Sequence, residues 1–185
     1  MMTAKAIASC TLLFLLTTNF IHAQGTKEGP PDPEASCKTF VQEFYDWYSA
    51  KAMDETKIQA AVDIALKNRS SQLSPELVRA LKENAAAEAK GGGQTQAMDF
   101  DPFLNSQDIA DRYVIGDIAQ KDKTYWVEVY GIWSGRKRLR PDVVPELEFR
   151  HGQWIFVNFH YGQRKGEDLL NLLKSLRDDR REHSP

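Results

Sequence analysis

The sequence predicts an α+β domain: N-terminal helices packed on a curved antiparallel sheet of about four strands, closed by a short C-terminal helix. Three observations carry this expectation. Apolar residues recur at helical spacing from Pro33 onward, and after Gln107 the period changes to two. The links between the period-two runs are short and polar, which favours antiparallel hairpins. The order is helices first and strands second, with no internal repeat.

The helical half begins at Asp32, a helix N-cap with Pro33 at the first helical position and Glu34 in the first turn. Cys37, Phe40, Val41, Phe44, Trp47 and Tyr48 follow on one face, so residues 33–51 read as an amphipathic helix with a heavy aromatic side. Ile58, Ala61, Val62, Ala65 and Leu66 make a second, weaker helix. Ser74 caps a third, Pro75 starts it, Leu73 is placed to staple against Val78, and Gly91-Gly92-Gly93 ends it.

In the second half, Tyr113 to Ala119, Thr124 to Trp133, Val143 to Arg150 and Trp154 to Tyr161 read as strands. Strict alternation in the last strand points Ile155, Val157, Phe159 and Tyr161 one way. It points Trp154, Phe156, Asn158 and His160 the other. Arg136 to Pro141 reads as a basic loop. Leu169, Leu170, Leu172, Leu173 and Leu176 form a final short helix that frays into Arg177 to Arg181.

Three segments lie outside this domain. Met1 to Ala23 has a lysine near its start, an uncharged apolar run from Ile7 to Ile21, and a small residue at Ala23, which is the pattern of a secretory signal peptide cut before Gln24. Ile7-Ala8-Ser9-Cys10 has the look of a lipobox, but the leucines that should precede one follow it. Residues 24–32 read as a disordered polar spacer, 33–180 as the single α+β domain, and 181–185 as a frayed tail. The expected location is therefore secreted or periplasmic, with no transmembrane anchor. Only Cys37 remains after the cut, so the domain has no internal disulfide to lean on.

Composition narrows the function classes. The 185 residues hold 24 Lys+Arg against 26 Asp+Glu, for a formal charge of −2, which argues against nucleic acid as a partner. No glycine-rich phosphate loop and no metal-ligand spacing is present, and no cofactor is expected.

Three groups of residues are candidate sites. Asp99, Asp101, Asn105 and Asp108 are oxygen donors in one short segment and weak candidates for a hard cation. Phe103 stands where a ligand would be wanted and no glycine supplies the sharp turn, so capping of local backbone is the favoured reading. On the sheet, Glu128, Tyr130, Asn158 and His160 are expected to meet. His160 would be the acid/base group and Tyr130 or Glu128 its assistants, if the domain is an enzyme. Asn158, His160, Trp126, Arg136 and Arg138 are the candidate contacts of a ligand or partner.

Local stretches carry a resemblance. Leu73-Ser74-Pro75-Glu76-Leu77, Asp99-Phe100-Asp101-Pro102-Phe103-Leu104-Asn105-Ser106-Gln107-Asp108, and Val157-Asn158-Phe159-His160-Tyr161 followed by Asp168-Leu169-Leu170 resemble a bacterial domain-of-unknown-function family of exported and envelope proteins, the YbjP type. Helices followed by a bent antiparallel sheet are similar to the cone fold of nuclear transport factor 2-like proteins. The resemblance covers roughly residues 33–180 and implies an envelope location and a cone-shaped fold. It brings no reaction or substrate. Two function classes follow: a binding or envelope-interaction module without catalysis, recognising an unknown small molecule or envelope protein, or a small-molecule enzyme of the isomerase, dehydratase or hydrolase type.

Overall fold

The computed structural model describes residues 29–54, 58–90, 98–162 and 167–182. The expected signal peptide, most of the spacer, the triple glycine and the last three residues lie outside these. The described elements run α1 (Pro33–Met53), α2 (Ile58–Asn68), a 3₁₀ turn (Ser70–Gln72), α3 (Pro75–Lys90), β1 (Arg112–Lys121), β2 (Thr124–Trp133), β3 (Arg136–Lys137), β4 (Val144–Arg150), β5 (Gln153–His160) and α4 (Leu169–Glu182). This is the expected α+β order.

The helix starts are set by their caps. The Asp32 side chain accepts from the Ala35 N–H at 3.0 Å, and the Ser74 hydroxyl accepts from the Leu77 N–H at 3.2 Å. The predicted face of α1 is buried at Cys37, Val41, Phe44 and Tyr48, and Tyr45 is buried beside them. Burial pushes the Cys37 thiol up to about 12, so it is an inert core group rather than a nucleophile.

The sheet is antiparallel in the order β1-β2-β4-β5, with β3 paired to β2 beyond that path. Its hairpins follow from turn chemistry. His151 and Gly152 both take positive φ, 52° and 82°, between β4 and β5, as the primed two-residue turn requires. Ser134 and Gly135 do the same at 50° and 76°. They fold β3 back onto β2, so the first two residues of the expected basic loop are strand.

One face of the sheet carries Val127, Val129, Leu147, Phe156 and Phe159, all fully buried in the core with residues of α1, α2, α3 and α4. Phe44 lies in its middle, 4.8 Å from the Phe156 ring and stacked on Tyr48 at 5.6 Å. The expected alternation in β5 is corrected here. Glu146 pairs with Asn158 while Leu147 pairs with Phe156, so Val157 is the extra residue of a bulge. The bulge turns Phe159 to the same side as Phe156, and the two rings stack at 5.3 Å. Trp154 and Phe156 therefore join the core, while Asn158 and His160 face away from it.

α4 does not fray at Arg177. It continues to Glu182, held by Lys174–Asp178 at 2.6 Å within the helix and by Arg180 donating to Asn84 of α3 at 2.9 Å. No described helix is long and apolar enough to cross a membrane.

Candidate functional site

Alternation along β2 puts Thr124, Trp126, Glu128 and Tyr130 on the face opposite the core. Register brings Glu146 of β4 beside Trp126 and Asn158 of β5 beside Glu146. The described helices bury their apolar sides against the other face, so these groups remain half-buried. His160 and Trp126 stack ring on ring, 3.8 Å between centroids and 16° between planes. His160 Nε2 lies 2.9 Å from Glu146 Oε2, with the two side chains 20% and 19% exposed. The Lys121 ammonium sits 3.3 Å over the Trp126 ring. The result is a layered cluster: Lys121, Trp126, His160, Glu146.

The expected meeting of Glu128, Tyr130, Asn158 and His160 divides into separate sets. Tyr130 donates to Glu128 at 2.7 Å within β2. That bond raises the phenol to about 12, which disfavours proton release near neutrality. The Tyr130 ring has Lys137 over it at 3.6 Å. It also crowds β1: a Cβ at Gly116 would lie 2.5 Å from Tyr130 Cε2, so the glycine at this bulge makes room for the ring. Asn158 is spent on structure, its Oδ1 accepting from the N–H groups of Phe159 at 2.9 Å and Leu170 at 3.2 Å, at the start of α4. His160 meets the Glu146 carboxylate, while Tyr130 and Glu128 are bonded to each other.

Glu146 and Lys121 were not among the sequence candidates. Glu146, Glu148 and Arg150 form the polar half of an alternating strand, and Glu146 could have been found by setting β4 in register with Trp126. Lys121 ends β1, where a two-residue turn makes it the partner of Thr124. Nothing short of that register marks it.

The acidic segment serves the core. Asp101 is buried; its Oδ1 accepts from the N–H groups of Phe103 at 2.8 Å and Leu104 at 3.2 Å, and Oδ2 accepts from Tyr48 at 2.7 Å. Tyr45 and Tyr161 donate to the carbonyls of Phe103 and Pro102 at 2.9 and 3.0 Å. Burial pushes the Asp101 carboxyl up to about 6, although its three hydrogen bonds pull the other way. Asn105 provides the sharp turn itself, at φ 51°, and donates to the Asp142 carbonyl at 2.7 Å. Asp99 and Asp108 are exposed. Among the described residues no group of three or more His, Cys, Asp or Glu is placed to hold a metal ion.

The basic segment is partly engaged. Arg138 Nη1 lies 2.6 Å from Asp142 Oδ1, and the other carboxylate oxygen accepts from the Gly131 N–H at 2.6 Å. The Asp142 side chain is 1% exposed and that of Arg138 46%, so the arginine neutralises a buried acid from the surface. Its guanidinium also lies 4.6 Å over the Trp133 ring. Arg136 and Arg140 are exposed, flanking a Leu139 that is 101% exposed.

The cluster thus offers an imidazole paired with a carboxylate, and aromatic rings covered by flexible ammonium groups. Comparison of the chain with protein-family models, with curated proteins and with solved structures finds no match.

Proposed function

We propose that the chain is an exported recognition domain of the envelope, acting without catalysis, and that the sheet face around Trp126 and His160 is its docking surface. The observation that carries this is the Lys121–Trp126–His160–Glu146 stack on the face away from the helices. Aromatic side chains with polar tips are the residues that dominate binding at protein interfaces. Here they lie where the core does not need them. Lys121 covers the outer face of Trp126 with a flexible chain that a partner can displace. The signal-peptide pattern of residues 1–23 supports delivery to the envelope, and the family resemblance supports the same compartment.

One observation favours the second reading, an acid/base enzyme: His160 meets Glu146 within hydrogen-bond distance, as a proton-transfer pair would. Against it stand the Trp126 ring packed on the imidazole and the Glu146 contact at Nε2.

The test compares the mature protein with its Trp126→Ala and His160→Ala variants. Each is immobilised and challenged with a bacterial envelope extract, and each is screened for turnover of a metabolite mixture. Recognition predicts a retained component that both variants lose, with no turnover by any of them. Turnover by the parent that disappears in His160→Ala would establish the enzyme reading instead. Export is tested separately by intact-mass measurement of the processed chain, which should begin at Gln24.

A further inference from the structure

The hairpin of β2 and β3 leads into a basic tip. Residues 134–140 are all exposed, and Arg136, Lys137, Arg138 and Arg140 place four cations within five positions. Even fully extended, that stretch spans only about 17 Å, so the four charges act on one footprint. The tip is braced. Ser134 and Gly135 turn it at positive φ, and β3 pairs with β2 through Ile132–Lys137 and Trp133–Arg136. The Lys137 ammonium rests on the Tyr130 ring, and Arg138 ties the outgoing chain to the buried Asp142. At its centre stands Leu139, 101% exposed; the other exposed large apolar side chain among the described residues is Met53, at 51%.

An isolated exposed apolar side chain is ordinary. Leu139 differs because the chain before and after it is fixed, and the described residues cover none of its surface. The charge around it is largely unmatched. Asp142 is buried and taken by Arg138, and Glu128 is bonded by Tyr130. Asp111, whose N–H donates to the Ile132 carbonyl at the base of the hairpin, is offset by its neighbour Arg112. Arg136, Lys137 and Arg140 form no ion pair with an acid among the described residues. A convex tip of this size is small against the roughly 20–30 residues a side of a specific protein interface. A lipid surface asks for no such area. It admits a projecting apolar side chain between its headgroups and gathers anionic headgroups around cations.

We propose that the tip from Arg136 to Arg140 docks the domain on an anionic lipid surface, with Leu139 entering the headgroup layer while Arg136, Lys137 and Arg140 meet lipid phosphates. One cation near such a surface is worth about fivefold in partition, and a leucine side chain leaving water about tenfold. Three unmatched cations and one leucine together give about 10³, which puts half-binding at about 1 mM lipid. The contact is therefore reversible and weakened by salt. It rests on no assumption about the Trp126 face or about export.

The test is co-sedimentation of the mature chain with vesicles of phosphatidylcholine alone and of phosphatidylcholine carrying about 30 mol% phosphatidylglycerol, up to about 5 mM lipid, at about 20 mM and about 150 mM salt. Binding is expected to the anionic vesicles only, and less of it at the higher salt. Arg136→Ala combined with Arg140→Ala should weaken it about 25-fold, and Leu139→Ser about tenfold. Both variants should keep the parent's Tm, because these side chains are exposed. Lys67→Ala, which removes an exposed cation from α2, should bind as the parent does. No binding to anionic vesicles at low salt, equal binding to neutral ones, or an equal loss in Lys67→Ala would each overturn the proposal. So would unchanged binding in Leu139→Ser, which would leave a contact of charge alone, such as an acidic protein surface makes.

Discussion

The loop at 99–108 and the sheet face around Trp126 are made from the same materials, carboxylates beside aromatic rings, yet they use them in opposite ways. In the loop the carboxylate of Asp101 turns inward and is satisfied by two backbone N–H groups and a tyrosine. On the sheet face the carboxylates of Glu128 and Glu146 meet side chains, a phenol and an imidazole, at the margin of solvent. Burial makes the difference. A fully buried polar group must be matched by fixed donors or the fold loses stability, whereas a half-exposed one can exchange its partner for water or another molecule. The loop is therefore expected to govern stability and the sheet face binding.

The sharpest way to break this contrast is to damage the loop. Phe103 has no exposure and touches the rings of Phe44, Tyr48 and Phe159. Phe103→Ala should cost about 3–5 kcal/mol, visible as a large fall in Tm or in the denaturant midpoint. A loss below about 1 kcal/mol would remove the loop from the core.

Next in size is the pH response of Asp101. Its carboxyl is raised from 3.8 to about 6 in the fold, so the folded chain holds this proton more tightly than the unfolded chain. The contribution to stability is full below the unfolded value and disappears as pH rises through the folded one. Between about pH 4 and 6 that amounts to about 2–3 kcal/mol. Asp101→Asn keeps an oxygen for Phe103 and Leu104 and lacks the ionisation. Denaturant unfolding across this window should be flatter in the variant than in the parent, and an unchanged slope would contradict the assignment.

Arg138 tests the border between the two roles. Arg138→Ala leaves the Asp142 carboxylate buried without its cation and should cost about 1–2 kcal/mol, less than for a wholly buried pair because the arginine is half-exposed. Trp126→Ala sits at the small end. Its ring is only half-buried and lies outside the main core, so a loss under about 1 kcal/mol is expected by thermal unfolding.

Much of this architecture was legible in the residues. The caps at Asp32 and Ser74, the aromatic face of α1 and the change to period two fix the order of elements with no tertiary information. What escaped depended on long-range geometry. The bulge at Val157 reverses the direction of Phe156 relative to Asn158, and strict alternation has no means of signalling it. The same slip concealed that Trp126 and His160 would stack across two intervening strand pairings. Ser134-Gly135 is a recognisable turn dipeptide, but the two residues it folds back are too few to read as a strand. Arg138 looked like a free cation because its acid, Asp142, is only four residues away yet enters the core. In the loop, the use of Asp101 to cap local backbone was readable from the segment itself. The three tyrosines that hold it come from α1 and from just beyond β5, and only the fold brings them together.

The central claim is that binding and stability are carried by separate regions, and one paired measurement tests it. The parent, Trp126→Ala combined with Lys121→Glu, and Asp101→Asn are compared for Tm and for capture of the same envelope component under identical conditions. The account predicts that the double sheet-face variant keeps its Tm within about 3 °C and loses capture. Asp101→Asn should shift its stability profile with pH and retain capture. Undiminished capture by the double variant, or its loss only together with the fold, would contradict the claim.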